Sequence, residues 1–377
     1  MPTITNIEDL RRIARRKIPR AIYDYVERGS YDELTLEANR ADLDATRLRQ
    51  RVLIDVSKLS LASTMLGEAV AMPVAIAPTG LAGLVHGDGE ILAARAAQAA
   101  GVKYCLSTMS ICSIEDVRGA TKAPFWFQLY MFRDRGFSKT VIERARAAGC
   151  PALLVTVDLP MRGQRHADIK NGLTVPPRLT LRNAFDVARR PAWLAKVLLG
   201  RRKTFGNVEH YLKGRVGIEQ AGAWSNQNFD RSLNWRDVEW VRALWPGKLV
   251  LKGVLDVEDA RTAAAAGVDG LVVSNHGGRQ LDGARSSIAA LPAIADAVGD
   301  RLEVLFDGGI RSGQDVLKAL GRGARGCLIG RAHLYGLAAG GEAGVRRALD
   351  IIRAELEVAM TLTGTRDVRA VTGEVIG

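Results

Sequence analysis

The chain contains few cysteines for its 377 residues, and their placement excludes two kinds of site. Its four cysteines, none of which forms a C-x-x-C pair, are Cys105, Cys112, Cys150 and Cys327. Each lies in or beside an apolar segment, so we expect buried, reduced thiols. A disulfide framework and a metal site are therefore not expected.

Long apolar runs are also missing. No run approaches the roughly 18 residues that are needed to cross a bilayer, and the opening MPTITNIEDLRRIARRK lacks the apolar core of a signal peptide. The composition, 47% apolar and 25% charged residues, is that of an ordinary globular protein. We therefore expect a folded, cytoplasmic chain.

Acidic residues are fewer than basic ones, 41 against 53, which leaves a formal net charge of +12. Between Arg178 and Lys203, eight Lys or Arg residues stand against the single acid Asp186. Apolar side chains are interleaved with them, namely Phe185, Trp193, Leu194, Val197, Leu198 and Leu199. This pattern favours a segment that lies on an anionic membrane surface, with a solvated basic excursion packed partly on the body as the alternative. Nucleic acid is not expected as a partner, because no known binding motif accompanies the charge.

From about residue 72, short apolar segments alternate with helix-like stretches. The predicted strands are Val74–Ala77, Tyr104–Leu106, Phe125–Leu129, Leu153–Val157, Leu249–Leu251, Gly270–Val273, Val304–Phe306 and Gly326–Ile329. The Ala-rich stretches between them include Glu90–Ala100, Ser138–Ala148, Val257–Ala266 and Gly313–Leu320. This order predicts an α/β fold, a closed (β/α)8 TIM barrel with functional residues at the carboxyl ends of its strands.

Residues 1–65 precede this alternation and are predicted to form helices that cover one end of the barrel. Thr5 and Glu8 have the spacing of a capping box. Gly29 is expected to close a helix with left-handed backbone. That helix carries two tyrosines, Tyr23 and Tyr25.

The segment from about residue 166 to 225 is far longer than an ordinary connection between the fourth and fifth strands. Connections of this length are usually functional or mobile. We expect one domain spanning residues 1–377, with this segment as an insertion that could associate with a membrane.

If the barrel forms, the residues that follow its strands converge on one face. In chain order they are Pro78, Thr79, Gly80, Ser107, Thr108, Met109, Gln128, Tyr130, Thr156, Asp158, Arg165, Lys252, Ser274, His276, Arg279, Asp307, Gly308, Gly309, Arg311, Gly330 and Arg331. Such a polar and glycine-rich set predicts a reaction site rather than a packed end.

The most informative string is SNHGGRQLDG, which follows the predicted strand Gly270–Val273 directly. His276 and Arg279 stand three residues apart among glycines, as expected for a base and an anion clamp. The other histidines are expected to be ordinary core or surface residues, namely His86, His166, His210 and His333.

Glycines followed by arginines end the last two strands. Gly308 and Gly309 precede Arg311, and Gly330 precedes Arg331. Exposed backbone N–H groups, a helix start and an arginine together favour a bound phosphate. A phosphorylated cofactor or substrate is therefore expected at this point of the barrel.

Five strings together resemble one family. APTG, FQLY, VTVD, SNHGGRQLDG and FDGGIRSG are similar to those of the FMN-dependent L-2-hydroxy-acid oxidases and dehydrogenases. The strings LSTMSICSIEDV and NWRDVEWVRALWPGKLVLKG resemble most the bacterial respiratory L-lactate dehydrogenases and the membrane-associated (S)-mandelate dehydrogenases. The resemblance runs from about Ile7 to the C-terminal helix. It implies FMN-dependent oxidation of an L-2-hydroxy acid to the 2-oxo acid.

The resemblance also implies roles for matching residues. His276 would be the base that takes a proton from the substrate hydroxyl or the α-carbon, and Asp158 would stabilise the resulting imidazolium. Tyr130 would hydrogen-bond the substrate oxygen. The substrate carboxylate would be held by Arg165, Arg279 and the hydroxyl of Tyr25, for which Tyr23 is the competing candidate.

Lys252 would place a positive charge beside the flavin, although without the resemblance it could simply form an interior ion pair with Asp158. The FMN contacts implied are Pro78, Thr79, Gly80, Ser107, Gln128, Thr156, Lys252, Ser274, Asp307, Gly308, Gly309, Arg311, Gly330 and Arg331.

Two positions depart from the glycolate oxidase pattern, where a tryptophan stands in place of Met109 and an alanine is common in place of Gly80. Both changes alter the room beside the substrate side chain. L-lactate is therefore expected first, and (S)-mandelate or another bulky 2-hydroxy acid second. The electron acceptor is expected to be a quinone or respiratory carrier on the inner face of the cell membrane, with oxygen as the alternative.

The family commonly forms tetramers, so a homo-oligomer is expected.

Two other classes of protein compete with the interpretation as an FMN-dependent hydroxy-acid enzyme. A different FMN barrel, such as an isomerase acting on a diphosphate, would explain the phosphate motif but not His276 and the arginines together. A binding or membrane scaffold without activity would not need every one of these positions filled.

Overall fold

The computed structural model describes residues 3–172, 181–198, 200–212 and 217–377. Its strands are β1 (Ser63–Met65), β2 (Glu68–Val70), β3 (Val74–Ile76), β4 (Lys103–Ser107), β5 (Trp126–Tyr130), β6 (Ala152–Thr156), β7 (Lys248–Val254), β8 (Gly270–Val273), β9 (Glu303–Phe306) and β10 (Gly326–Ile329). Strands β3 to β10 are parallel and close into a barrel in chain order, with β10 paired to β3. Each overlaps a predicted strand, so the prediction of a (β/α)8 barrel is confirmed.

Helices precede the barrel, surround it and extend from it. They are α1 (Ile7–Lys17), α2 (Arg20–Glu27), α3 (Leu34–Ala45), α4 (Ala82–Val85), α5 (Gly89–Ala100), α6 (Ile114–Ala120), α7 (Arg135–Ala147), α8 (His166–Lys170), α9 (Leu181–Ala188), α10 (Pro191–Leu198), α11 (Gly206–Leu212), α12 (Ile218–Asn228), α13 (Trp235–Leu244), α14 (Val257–Ala265), α15 (Ser287–Val298), α16 (Gly313–Gly321) and α17 (Arg331–Thr363). Two 3₁₀ turns follow, Val368–Ala370 and Gly373–Val375.

The barrel strands are buried on both faces, as is typical of parallel strands. Every residue of β6, β8 and β10 is buried. The side chains that point into the barrel form one apolar cluster of Ala75, Cys105, Trp126, Ala152, Leu154, Val250, Val272, Leu305 and Leu328. The barrel interior is thus a packed core, which leaves the carboxyl ends of the strands as the place for a site. All four cysteines are buried and free.

The hairpin of β1 and β2 closes the amino end of the barrel. Glu68 accepts hydrogen bonds from Lys103 Nζ and Trp126 Nε1, each at 2.7 Å. Glu303 Oε1 accepts one from the backbone N–H of Leu66 at 2.8 Å. The expectation of helices throughout residues 1–65 is therefore wrong beyond α3. Three residues per strand are too few for an alternating pattern to stand out in the sequence.

Two details of the N-terminal helices also differ from prediction. Asn6 caps α1, because its Oδ1 accepts from the backbone N–H of Asp9 at 2.9 Å. Thr5 instead donates its hydroxyl to Asp9 Oδ2 at 2.8 Å, so the capping box predicted for Thr5 and Glu8 does not form. The helix begins one residue later than that spacing implies.

Gly29 does not close α2 with left-handed backbone. The helix ends at Glu27, and the C-cap residue Arg28 already has extended backbone, with φ −80° and ψ 155°. A Cβ on Gly29 would lie 2.7 Å from the carbonyl oxygen of Gly278. Glycine is therefore needed here because two backbone segments approach closely, at the edge of the site.

The long insertion after β6 contains α8 to α12 and packs in part on the barrel. The indole N–H of Trp193 donates to the carbonyl of Leu84 at 2.8 Å, and Val197 is buried. Residues 178–180 and 199 of the predicted basic segment lie outside the described residues. The aromatic ring of Phe185 is exposed.

Candidate active site

One cavity opens at the carboxyl ends of the barrel strands. Most of the sequence-predicted site residues line it, namely Tyr25, Pro78, Thr79, Gly80, Met109, Tyr130, Arg165, Lys252, His276, Arg279, Asp307, Gly308, Gly309, Arg311, Gly330 and Arg331. The predicted residues that do not line it are Ser107, Thr108, Gln128, Thr156, Asp158 and Ser274. Tyr23 does not line it either and is buried in the core.

The backbone conformation of the turn after β8 accounts for the two glycines in the string SNHGGR. His276, Gly277 and Gly278 all have left-handed backbone, with φ of 59°, 66° and 73°. A Cβ on Gly278 would lie 2.6 Å from the backbone nitrogen of Leu36, so only glycine fits. The non-glycine residue in this conformation is the histidine itself, and such strain is concentrated at functional sites.

The imidazole of His276 lies between Asp158 and Tyr130. Nδ1 of His276 is 2.9 Å from Oδ1 and 3.2 Å from Oδ2 of Asp158. Because an ionised carboxylate only accepts hydrogen bonds, Nδ1 carries the proton and Nε2 presents a lone pair. The hydroxyl of Tyr130 is 3.4 Å from that Nε2. A basic nitrogen therefore faces the cavity.

The charge of Asp158 is retained despite its position. Burial by itself would raise the pKa of Asp158, but the His276 ring and then Lys252 outweigh it, so the pKa is lowered from its ordinary value. Gly253 makes room for this carboxylate, since a Cβ there would lie 2.6 Å from Asp158 Cγ. The carboxylate is thus held where it can stabilise a protonated His276.

Two arginines approach the cavity from different loops. Arg165 is buried, 8% exposed, and burial together with the nearby Arg279 lowers its pKa to about 9. Arg279 donates to the carbonyl oxygen of Tyr25 at 2.6 Å, and its guanidinium lies over the Tyr25 ring. An anion bound between the two guanidinium groups would relieve their repulsion.

Lys252 is buried and forms an ion pair with Asp307, not with Asp158. Its Nζ lies 2.8 Å from Asp307 Oδ2 and donates to Ser274 Oγ at 2.8 Å. Burial would lower the pKa of Lys252, but Asp307 and Asp158 raise it above its ordinary value. A fixed positive charge therefore stands at the floor of the cavity.

A chain of polar side chains crosses three strands beside this floor. Ser107 donates to Gln128 Oε1 at 2.9 Å, and Gln128 Nε2 donates to Thr156 Oγ1 at 2.9 Å. The barrel register places Ser107 opposite Gln128 and Thr156 opposite Lys252. These residues are almost fully buried, so they lie behind the lining of the cavity.

The far end of the cavity is basic and rich in glycine. Gly308 and Gly309 have φ of 116° and 103°, and a Cβ on Gly330 would meet open space. Arg331 donates to the carbonyls of Val26 and Gly277, each at 2.9 Å. Burial and the neighbouring arginines lower the pKa of Arg331 to about 10. Glycine backbone that lines the cavity, the start of α17 and an arginine together suit a phosphate group.

Comparison with known proteins identifies the family. Residues 14–377 match the FMN-dependent dehydrogenases. The chain belongs to this family. It is 50% identical over 374 residues to an L-lactate dehydrogenase of Caulobacter vibrioides (strain NA1000 / CB15N), covering 99% of this chain and 97% of the relative. An L-lactate dehydrogenase of Caulobacter sp. (strain K31) is 51% identical over 362 residues, covering 96% and 95%.

Solved structures of this dehydrogenase's relatives have the same fold. The monotopic membrane protein (S)-mandelate dehydrogenase matches with a TM-score of 0.95 and 36% identity, over 100% of both chains. A mandelate oxidase matches with a TM-score of 0.84 and 38% identity, over 100% of this chain and 98% of the other.

The residues of the dehydrogenase fit its FMN cofactor. The glycine and arginine end can hold the phosphate, and the buried Lys252 can hold negative charge on the ring system. Within the described ranges, no cluster of three or more His, Cys, Asp or Glu side chains could bind a metal ion. Over the same ranges, no helix has the length and apolarity that crossing a membrane requires.

Gly80 and Met109 form one wall of the cavity, and Glu90 holds the loops that carry them. A Cβ on Gly80 would lie 3.3 Å from the carbonyl oxygen of Met109. Glu90 is fully buried, and its Oε1 accepts from the backbone N–H groups of Gly83 and Ile111, each at 3.0 Å. Burial raises the pKa of Glu90. Sequence reasoning missed this residue, because its burial cannot be read from a helix start such as GDGE.

Sequence reasoning also missed the roof of the cavity, which the insertion supplies. The roof residues are Phe205, Ile218, Glu219, Gly222, Asn226 and Phe229. Phe229 packs edge-to-face on Tyr130, with 6.0 Å between ring centroids. Arg162 lines the cavity too. It lies in the same loop as Asp158 and Arg165. Its position after β6 could therefore have predicted that Arg162 lines the cavity.

Proposed function

We propose that this FMN-dependent dehydrogenase oxidises an L-2-hydroxy acid to the 2-oxo acid, with L-lactate as the first substrate. The observation that carries the proposal is the position of His276 Nε2 in one cavity with Arg165 and Arg279. A base and two guanidinium groups suit a substrate that has a carboxylate beside a carbon to be oxidised.

His276 removes a proton from the substrate through Nε2, and Asp158 stabilises the imidazolium through the 2.9 Å contact to Nδ1. Tyr130 donates its hydroxyl to the substrate oxygen as that oxygen becomes a carbonyl. Bound FMN supplies the acceptor for the two electrons.

The substrate carboxylate is held by Arg165 and Arg279, with the Tyr25 hydroxyl as a third donor. Residues at the ends of β3 to β7 would hold the FMN ring, and residues at the ends of β9 and β10 would hold its phosphate. The residues that we assign to FMN are Pro78, Thr79, Gly80, Ser107, Gln128, Thr156, Lys252, Ser274, Asp307, Gly308, Gly309, Arg311, Gly330 and Arg331. Those behind the lining, such as Gln128, would act through their neighbours or through ring-edge contacts.

Two findings bear on the choice of substrate. The L-lactate dehydrogenases of Caulobacter are about half identical to this chain, which supports lactate. The absence of a side chain at Gly80 leaves room along the wall with Met109, which supports (S)-mandelate or another bulky 2-hydroxy acid as the second candidate.

Anaerobic reduction of the purified enzyme by a panel of 2-hydroxy acids tests the proposal. We expect L-lactate to bleach the flavin absorbance fastest and D-lactate not to bleach it. Readmitted air should reoxidise the flavin slowly, whereas fast reoxidation would make the enzyme an oxidase. An absence of bleaching by every 2-hydroxy acid would contradict the assignment of His276.

We further propose that electrons leave to a quinone or respiratory carrier at the inner face of the cell membrane. Apolar residues Ile22, Leu81, Leu84, Phe205 and Ile218 belong to the lining of the cavity. The indole N–H of Trp193 in the insertion donates to the carbonyl oxygen of Leu84, so the insertion lies next to this part of the lining. An aromatic quinone ring suits such a wall.

The insertion supplies the membrane contact in this proposal. Phe185 is 65% exposed and is stacked by Arg189, whose guanidinium carbon lies 5.4 Å from the ring centroid. An exposed aromatic ring beside basic side chains favours an anionic lipid surface. The (S)-mandelate dehydrogenase with the same fold is described as a monotopic membrane protein.

Vesicle sedimentation tests the membrane contact. Because Trp193 and Val197 are buried, deletion of the whole segment would uncover the barrel, so we choose F185S/R189S. This variant should sediment less with anionic phosphatidylglycerol vesicles than the wild type and keep turnover with a soluble dye. Equal sedimentation of both proteins would contradict the contact.

We also expect a homo-oligomer, a tetramer by family resemblance. Exposed apolar side chains lie near one another at Val52, Leu53 and Leu362, where Arg51 N–H donates to the Leu362 carbonyl at 3.0 Å. Such side chains are often covered by another subunit. Light scattering of L53S against the wild type tests this expectation.

A further inference from the structure

We propose that a second cavity, at the mouth of the catalytic one, is an anion site that collects the carboxylate substrate before it reaches the base. We call it the mouth site. Its basic residues are Arg133, Arg162 and Arg231. The inference rests on the proposed function, because it requires an anionic substrate.

The mouth site is continuous with the catalytic cavity. Arg162, Asn226 and Phe229 line both cavities. Arg133 and Arg231 line the mouth site alone, together with Gln227. A ligand that leaves the mouth site inward therefore passes Arg162 and meets the substrate pocket.

The three arginines form no ion pair with a carboxylate in the described ranges of the chain. Within the part of the chain that the structure describes, none of their guanidinium groups lies within 4.0 Å of a carboxylate. Arg162 donates a hydrogen bond to the amide oxygen of Asn226, at 3.4 Å. The nearby Asp230 forms an ion pair with Arg135 at 2.6 Å and accepts a hydrogen bond from the hydroxyl of Ser232. Three unpaired positive charges at one opening attract anions.

The mouth site leads to Arg165 and Arg279, the two arginines that we assign to the substrate carboxylate. The loop after β6 carries Asp158, Arg162 and Arg165 in succession, so Arg162 stands between the mouth and the buried Arg165. The electrostatic effect of Arg162 on Arg165 is large enough to contribute to its lowered pKa. A carboxylate can thus pass from one guanidinium group to the next without losing a positive partner.

This arrangement has a specific kinetic consequence. The field of the mouth site raises the local concentration of any carboxylate, so it acts on substrate and 2-oxo acid product alike. It does not touch the reacting atoms. Removing its charge should raise KM and the product inhibition constant together and leave kcat unchanged.

The test uses the holoenzyme and two double variants with the same change of charge. R133S/R231S removes mouth arginines, while Arg162 stays because it lines the catalytic cavity. R301S/R325S removes two exposed arginines at the opposite end of the barrel, beside the starts of β9 and β10. L-lactate turnover with a dye acceptor is measured from about 0.01 M to about 0.15 M ionic strength, over which screening becomes strong.

We expect kcat/KM of R133S/R231S to fall about three- to tenfold at the lowest ionic strength, with kcat unchanged, and to approach the wild-type value as salt increases. R301S/R325S should follow the wild type throughout. R133K/R231K, which keeps the charge, should recover most of the loss.

Two failures can be told apart. If the wild type oxidises L-lactate and kcat/KM depends on salt equally in R133S/R231S and R301S/R325S, the mouth site is overturned and the proposed function stands. No turnover or flavin reduction by L-lactate or any other 2-hydroxy acid in the wild type would overturn the proposed function, and the mouth site with it.

Discussion

Nδ1 of His276 lies 2.9 Å from Oδ1 of Asp158, although 118 residues of chain separate them. The contact fixes the tautomer of the histidine, because the carboxylate accepts the Nδ1 proton. Nε2 is then the only ring nitrogen that can take a proton from a ligand in the cavity. Asp158 therefore acts through His276 and not on the substrate.

H276Q should lower kcat for L-lactate by about 10²- to 10⁴-fold, the usual contribution of general base catalysis. D158N should lower it less, because the amide oxygen of asparagine can still accept the Nδ1 proton. The double variant H276Q/D158N should be close to H276Q, since the contact of Asp158 with the reaction runs through the His276 ring. Steady-state kinetics of FMN-saturated enzyme measure all three.

The flavin absorbance of each variant serves as the control for cofactor retention. Additive losses in the double variant would contradict the dependence of Asp158 on His276.

G80A should reduce turnover of bulky substrates relative to L-lactate. The added methyl would lie 3.3 Å from the Met109 carbonyl oxygen and 3.4 Å from Met109 Cβ, so it narrows the wall. We expect the ratio of kcat/KM for (S)-mandelate to that for L-lactate to fall about tenfold or more. The double variant G80A/M109A should recover part of the lost (S)-mandelate to L-lactate ratio of kcat/KM, because alanine at position 109 widens the wall again. An unchanged ratio would remove Gly80 from the specificity wall.

E90Q and E90L should separate hydrogen bonding from charge at Glu90. Glutamine keeps an oxygen for the N–H groups of Gly83 and Ile111, so E90Q should resemble the wild type. Leucine leaves both groups unpaired, which destabilises by about 1–3 kcal/mol for each, and it loosens the loops of Gly80 and Met109. E90L should therefore raise KM and change substrate preference more than kcat. If E90L changes the melting temperature but keeps the wild-type KM and substrate preference, Glu90 has only a structural role.

His333 should make stability fall in acid. It is fully buried, and burial lowers its pKa to about 4 from the ordinary 6.5. Between these values the unfolded chain binds a proton that the folded chain does not, so stability decreases as the pH falls through this window. The loss attributable to His333 amounts to about 3 kcal/mol when the window has been crossed.

Urea unfolding of the wild type and H333L at pH 7 and pH 4.5 measures this effect. The wild type should lose more stability than H333L between the two conditions. H166L, which changes an exposed histidine, should behave as the wild type does. Equal losses in the wild type and H333L would show that other groups carry the acid sensitivity.

Local patterns in the chain were sufficient for the eight barrel strands and for the face on which the polar residues meet. Short apolar runs that end in glycine or polar residues require no knowledge of distant contacts, because a parallel barrel repeats one local unit. For the same reason, Tyr130, Lys252, His276 and Arg279 could be assigned to one face before any distance was known.

Only the tertiary structure decided which of these groups are partners. Lys252 pairs with Asp307 rather than Asp158, and Glu90 joins two loops, because both contacts depend on how distant strands and helices are placed. The hairpin β1–β2 and the roof over the cavity were likewise missed. Short strands and an insertion carry no periodic pattern of their own, and their positions are set by what they pack against.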